Sequence, residues 1–218
     1  MNHTTDTVKA TYDNLMKQSK RLVERQVEHP EHYPTEDQYA VLHMSLESQG
    51  KRNGDHSQDL SLTQLGVFRF ISVVSQIVSG WGGELIETNL NAYTAIFPMS
   101  EPDATSRSCI CGMQILNAIT NVIQPSLREE GIEMSFHCGI GISMGSVFGF
   151  QTGLQAPMNR LYYGDAISSA VEYANMSSGV VIVDRLIKEQ IERSETGFKV
   201  QFQPYRYHEW VGYQFKVG

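Results

Sequence analysis

Apolar residues recur at helical spacing across positions 62–79, where Val67, Phe70, Ile71, Val74, Ile77 and Val78 fall on one face. Gly80, Gly82 and Gly83 then mark the end of that helix. The same period returns over 103–128, with Ile110, Met113, Leu116, Val122 and Ile123 on the buried side, and again over 163–176. Extended segments are predicted at 39–47, 84–89, 92–97, 133–142, 179–184, 199–205 and 207–216, with a polar loop over 49–59. Positions 84–89 and 92–97 are joined tightly around Leu90 and Asn91. A short helix follows the apolar run Val180–Val183.

The first stretch differs in kind. Residues 6–28 read as a polar helix with a thin apolar stripe of Val8, Tyr12, Leu15, Leu22, Val23 and Val27. Val8, Leu15 and Leu22 fall seven apart, so two readings stand: a solvated helix packed on its own domain, or a dimerising helix. Pro30 and Pro34 break it. Two parts are therefore expected, a helical arm with a proline-containing linker over 1–37 and a folded domain over 38–218. The order of elements in that domain gives an α+β class, a ferredoxin-like plait with helices over one face of a mainly antiparallel sheet.

Charge narrows the partners. The 218 residues carry a formal net charge of −7, which argues against nucleic acid or an anionic membrane surface. No apolar run approaches the roughly 20 residues that span a bilayer, and the polar N-terminus offers no signal segment. Three cysteines suit a reducing compartment better than a disulfide framework, so a cytoplasmic location is expected.

Four segments carry a more specific message. They are 41–50, 82–92 (Gly82-Gly83-Glu84 through Asn91-Ala92), 139–147 (Gly139-Ile140-Gly141 through Val147) and 164–173. In this order, and with Gly82, Gly83, Gly139, Gly145, Gly149 and Gly164 in place, they resemble the class III nucleotidyl cyclases, the adenylate and guanylate cyclases. The resemblance covers roughly residues 38–217. It implies a head-to-tail dimer with active sites between protomers. It also implies two aspartates holding two divalent metals, a Lys and an Asp reading the base, and an Asn and an Arg serving ribose and phosphate.

Carried across residue by residue, the resemblance puts different chemistry at each of those positions. The metal aspartates align with Ser45 and Asn91, the base-reading pair with Glu87 and Leu161, and the Asn and Arg with Ser168 and Glu172. Hard divalent cations want carboxylate oxygens, and developing negative charge wants cationic partners. The expected function is thus a catalytically inactive cyclase homologue, kept as a dimerising signalling, regulatory or ligand-binding module. No cofactor is expected. The rival reading is an active cyclase in which Glu47 supports Mg²⁺ or Mn²⁺.

Other candidates carry bland readings beside sharp ones. Leu161, Tyr162 and Tyr163 form a candidate ligand wall. Phe148, Phe150 and Met158 join them either in a remodelled pocket or in dimer packing. Glu47, Glu87 and Glu172 could gather a cation, although such carboxylates are more often solvated or paired. His43, His137 and Cys138 lie on strands expected to be neighbours, with packing the ordinary role. Cys109 and Cys111, two apart on a helix, point in different directions. Expected partners are a second copy of the chain, and a signalling protein or a small-molecule ligand.

Overall fold

The computed structural model describes residues 3–28, 35–50, 56–89, 91–132, 134–152, 159–194 and 199–217. In chain order the elements are α1 (His3–Glu28), β1 (Thr35–Gly50), α2 (His56–Gly80), β2 (Glu84–Thr88), β3 (Ala92–Pro98) and α3 (Ala104–Ala118). A π-helical turn (Ile119–Ile123) follows, then α4 (Gln124–Glu129), β4 (Met134–Thr152), β5 (Asn159–Tyr163), α5 (Asp165–Met176), β6 (Val181–Val183), α6 (Arg185–Arg193), β7 (Val200–Tyr207) and β8 (Trp210–Val217). Two compact units result. The larger holds residues 37–147 and 163–218, the smaller 1–36 and 148–162. Among the described residues, no helix is long and apolar enough to cross a membrane.

One sheet organises the larger unit, in the order β2-β3-β1-β4-β6-β8-β7, with β5 paired to β4 off that path. The pairs β1–β3, β2–β3, β6–β8 and β7–β8 are antiparallel, while β4 and β6 run parallel. Strand alternation sorts the sheet into two faces. Leu42 and Met44 of β1, Tyr93 and Phe97 of β3, Ile140 and Ile142 of β4 point into the main core with residues of α2, α3 and α6. Phe70 of α2 anchors it, its ring 5.2 Å from Tyr93 and 5.4 Å from Phe136. Asp184 locks β4 to α6: its carboxylate accepts from Ser143 Oγ at 2.6 Å, the Met144 N–H at 3.1 Å and the Ile187 N–H at 2.7 Å, capping the helix.

The opposite face receives α5, which departs from the expectation of helices on one side only. Gly139 and Gly141 of β4 face it. A Cβ on Gly141 would collide with the Ala170 carbonyl and the Ala174 nitrogen; one on Gly139 would meet the carbonyls of Ala174 and Ser177. The buried Ala166, Ala170 and Ala174 keep α5 equally slim on that side.

Three element boundaries also differ from the sequence reading. β1 continues to Gly50 and α2 starts at His56, so the predicted polar loop over 49–59 is shortened from both ends. The predicted helix over 103–128 is interrupted by the π turn. Pro125 explains this, since it has no N–H for the carbonyl four residues back, and the Gln124 N–H reaches the Ile119 carbonyl instead. β4 runs ten residues past Ile142 and is followed by β5, so Tyr163 ends a strand rather than opening a helix.

In the smaller unit, α1 leaves Tyr12, Leu15 and Met16 exposed. Thr35 Oγ1 donates to the Gly149 carbonyl at 3.3 Å, and Gly149 leaves room for the Tyr162 ring, which would stand 3.2 Å from a Cβ placed there. Met158 lies outside the described residues.

Candidate functional site

Two positions singled out by sequence meet at the ends of β1 and β3. Ser45 pairs with Ala92, and the next residue, Leu46, donates its N–H to the Asn91 carbonyl at 2.8 Å. Ser45 is half-buried and Asn91 exposed. Asn89 shapes the turn that presents Asn91: its Oδ1 accepts the N–H groups of Asn91 at 2.9 Å and Ala92 at 2.7 Å. The side chains offered here are a hydroxyl and a carboxamide, both neutral.

Glu87 is turned toward the same sheet face by a register shift. Leu85 opposes Ala95, but Glu87 opposes Thr94, so Ile86 is the extra residue of a bulge. Without it Glu87 would oppose Tyr93 and point into the apolar core. With it, a polar row crosses three strands. Glu87 Oε2 accepts from Thr94 Oγ1 at 3.0 Å, and Thr94 Oγ1 lies 2.9 Å from His43 Nδ1. The threonine has one proton and gives it to the carboxylate, so its oxygen accepts from an Nδ1–H tautomer of His43. Glu87 Oε1 also lies 3.4 Å from Asn89 Nδ2. The carboxylate at this position therefore braces the sheet and the turn.

His43 is buried, and burial holds its pKa below the ordinary 6.5, with the Glu87 charge opposing that shift less strongly. The unfolded chain takes up this proton more readily than the folded one. His43 thus contributes full stability above about pH 6.5, and the contribution is lost as pH falls from there through the folded pKa. Urea unfolding of the native chain and of His43→Phe, compared from about pH 7.5 to about pH 5.5, is expected to give a shallower loss of stability in the variant. Identical slopes would refute this account of the histidine.

The remaining predicted positions lie on α5 and β5. Ser168 and Glu172 are four apart on the exposed side of α5. Leu161 and Tyr163 share one side of β5 and are exposed, while Tyr162, half-buried, takes the other. Alternation therefore divides the three residues expected to form one ligand wall. His43 and Cys138 sit on neighbouring strands but opposite faces, since Cys138 belongs to the main core. Among the described residues, no three His, Cys, Asp or Glu side chains are grouped so as to hold a metal ion, and this includes Glu47, Glu87 and Glu172.

Sequence comparison finds no matching family model and no matching curated protein. Solved structures do match. The guanylyl cyclase Cya2 superposes with a TM-score of 0.67 at 14% identity, over 85% of this chain and 95% of its own. A non-canonical dimeric guanylyl cyclase domain of the RhoGC fusion protein from the aquatic fungus Blastocladiella emersonii gives 0.62 at 17% identity, over 84% and 97%. The adenylyl cyclase CyaB from P. aeruginosa gives 0.62 at 11% identity, over 84% and 96%. These likenesses span nearly the whole length of each of those chains and agree with the glycine pattern of 82–83 and 139–149. The chain carries the fold of a class III adenylyl/guanylyl cyclase catalytic domain.

Proposed function

We propose that this chain is a cyclase-fold module that does not cyclise nucleotides and serves as a dimerising regulatory or ligand-binding unit. One observation carries the reading. The strand ends that bring Ser45 and Asn91 together present neutral oxygens where the resemblance calls for two carboxylates. A hydroxyl and a carboxamide do not fit a pair of hard divalent cations, which take carboxylate oxygens. The charges added nearby on β1 and β2 are acidic, Glu47 and Glu87, and Glu87 already accepts a hydrogen bond from Thr94 of its own sheet. On α5, Glu172 stands where the resemblance calls for a cation. A carboxylate about 5 Å from a phosphate oxygen costs about 3 kcal/mol at an effective dielectric of about 20, in place of a similar attraction.

The exposed Tyr12, Leu15 and Met16 of α1 support association with a second copy. A cytoplasmic location belongs to the same proposal.

The test is cyclic-nucleotide formation by the purified chain, offered ATP, GTP, CTP and UTP with Mg²⁺ and then Mn²⁺, at protein concentrations that favour dimers. The expected result is no product above a blank without protein. Turnover of any nucleotide overturns the proposal. If that turnover vanishes in Glu47→Ala, the exposed Glu47, two residues beyond Ser45 on β1, takes the metal role and the chain is an active cyclase with altered ligands.

A further inference from the structure

A cavity of about 240 Å³ lies within the larger unit, between the π turn and the first residues of β4. Two local departures from regularity create it. The β4–β6 ladder begins only at Ile140 and Val181, preceded by the Gly179 N–H to Cys138 carbonyl bond at 2.8 Å and the Ile140 N–H to Val180 carbonyl bond at 3.3 Å. The edge of β4 before that point has no β6 alongside. Across from this edge, the π turn forced by Pro125 widens the helix.

The walls are already fixed. Gln124 Nε2 donates to the Phe136 carbonyl at 2.7 Å, so a side chain meets the edge that a strand would otherwise meet. Phe136 is held from behind by Phe70 at 5.4 Å. Ile119, Phe136 and Cys138 supply a buried apolar floor, and the exposed His137 and Ser178 stand at the rim. The Cys138 thiol is pushed up to about 12 by burial, so it stays protonated and offers a soft apolar surface rather than a nucleophile.

Size and lining together restrict the occupant. At about 30 Å³ for each water-sized group, the space holds roughly eight of them, enough for one ring with a short polar substituent. The lining contains no Lys, Arg, Asp or Glu among the described residues, and its imidazole, His137, stands exposed at the rim, so an ionic group seated on the floor would find no counter-charge there. Polar atoms at one side and apolar atoms at the floor suit a molecule with one hydrogen-bonding edge. We propose that this cavity is a binding site for a small uncharged ring compound of that kind, separate from the strand ends that carry Ser45 and Asn91. The proposal stands or falls independently of nucleotide turnover.

Phenol and benzimidazole serve as probes, with benzoate as the charged counterpart, titrated into the full chain while the NMR signals of Ile119, Cys138 and Gly179 are followed. Saturable shifts confined to these residues are expected for the two neutral probes and not for benzoate. Thr120→Phe, at an exposed position of the π turn lining the cavity, is expected to weaken neutral-probe binding about tenfold or more. Ser178→Phe, on the other rim, should do the same, and circular dichroism shows which variants fold. The proposal is overturned if neither neutral probe gives saturable shifts, if the shifts map elsewhere, if benzoate binds equally well, or if folded filling variants bind undiminished.

Discussion

Gly141→Ala is expected to destabilise the larger unit by about 3 kcal/mol or more, at the upper end of what overpacking costs. The reason is space rather than backbone freedom, because Gly141 is not among the glycines with a left-handed backbone. Its missing Cβ leaves room for the α5 backbone: the added methyl would overlap the Ala170 carbonyl and the Ala174 nitrogen and press to 2.7 Å from Tyr173 Cβ. Backbone atoms of a helix cannot rotate away as a side-chain tip can, so α5 must lift off the sheet. That movement loosens the contacts of Tyr173 and Met176 with Ile182 and displaces the helix that carries Ser168 and Glu172. Gly80→Ala is the matching control. Gly80 is the last residue of α2, and a methyl added there would meet nothing within 4 Å, so a neutral change or a gain of up to about 1 kcal/mol is expected. Urea unfolding of both variants decides the matter. Equal midpoints would mean that the close approach of α5 contributes no constraint.

Much of this architecture is legible in the residue pattern, and the parts that are not have identifiable causes. Period-3.6 runs locate α2, α3 and α5, and apolar blocks such as Val180–Val183 locate β6. Gly139 and Gly141 are visible as glycines, but that they admit a helix on the second sheet face is a statement about three-dimensional approach. Gly145 and Gly149 lie beyond the predicted strand end at Ile142, yet β4 passes through both, because the propensity of single residues does not set where a strand stops. Pro125 sits in plain view inside a helical pattern; its effect, a π turn in place of a chain break, depends on tertiary contacts that keep the helix going on both sides.

At the candidate site, resemblance leads to Ser45, Asn91 and Glu87. It does not reveal the row from His43 through Thr94 to Glu87, because that row depends on a bulge at Ile86, and one residue of register decides which face a side chain takes. The cavity beside β4 has still less of a signal. His137 and Cys138 invite a metal-ligand reading by residue type, whereas their shared surroundings follow from where β6 happens to start.

The double replacement Ser45→Asp with Asn91→Asp is expected to convert a site indifferent to Mn²⁺ into one that binds it. The two residues stand on adjoining strand ends linked by the Leu46 N–H to Asn91 carbonyl bond at 2.8 Å, at the positions where the resemblance calls for two metal-holding carboxylates. Without metal, like charges so placed repel and disfavour each other's ionisation, and a loss of about 1 kcal/mol is expected from surface-type repulsion in a partly solvated setting. With Mn²⁺ the sign reverses. Carboxylate oxygens are the ligands such a cation takes, and a metal present at about 100 times its Kd adds about 2.7 kcal/mol. The melting temperature of the double variant should therefore climb with Mn²⁺ concentration, each single variant should respond less, and the native chain should stay flat. Cyclic-nucleotide formation is expected to remain absent even in the metal-binding variant, because Glu87 and Glu172 still stand at the positions the resemblance assigns to cations. Metal affinity and catalysis are thereby separated: restoring the first without the second locates the remaining deficit in the four unrestored positions, Glu87, Leu161, Ser168 and Glu172. If the native chain responds to Mn²⁺ as strongly as the double variant, other groups hold the cation, Glu47 first among them, and the proposal of a non-catalytic module loses the observation that carries it.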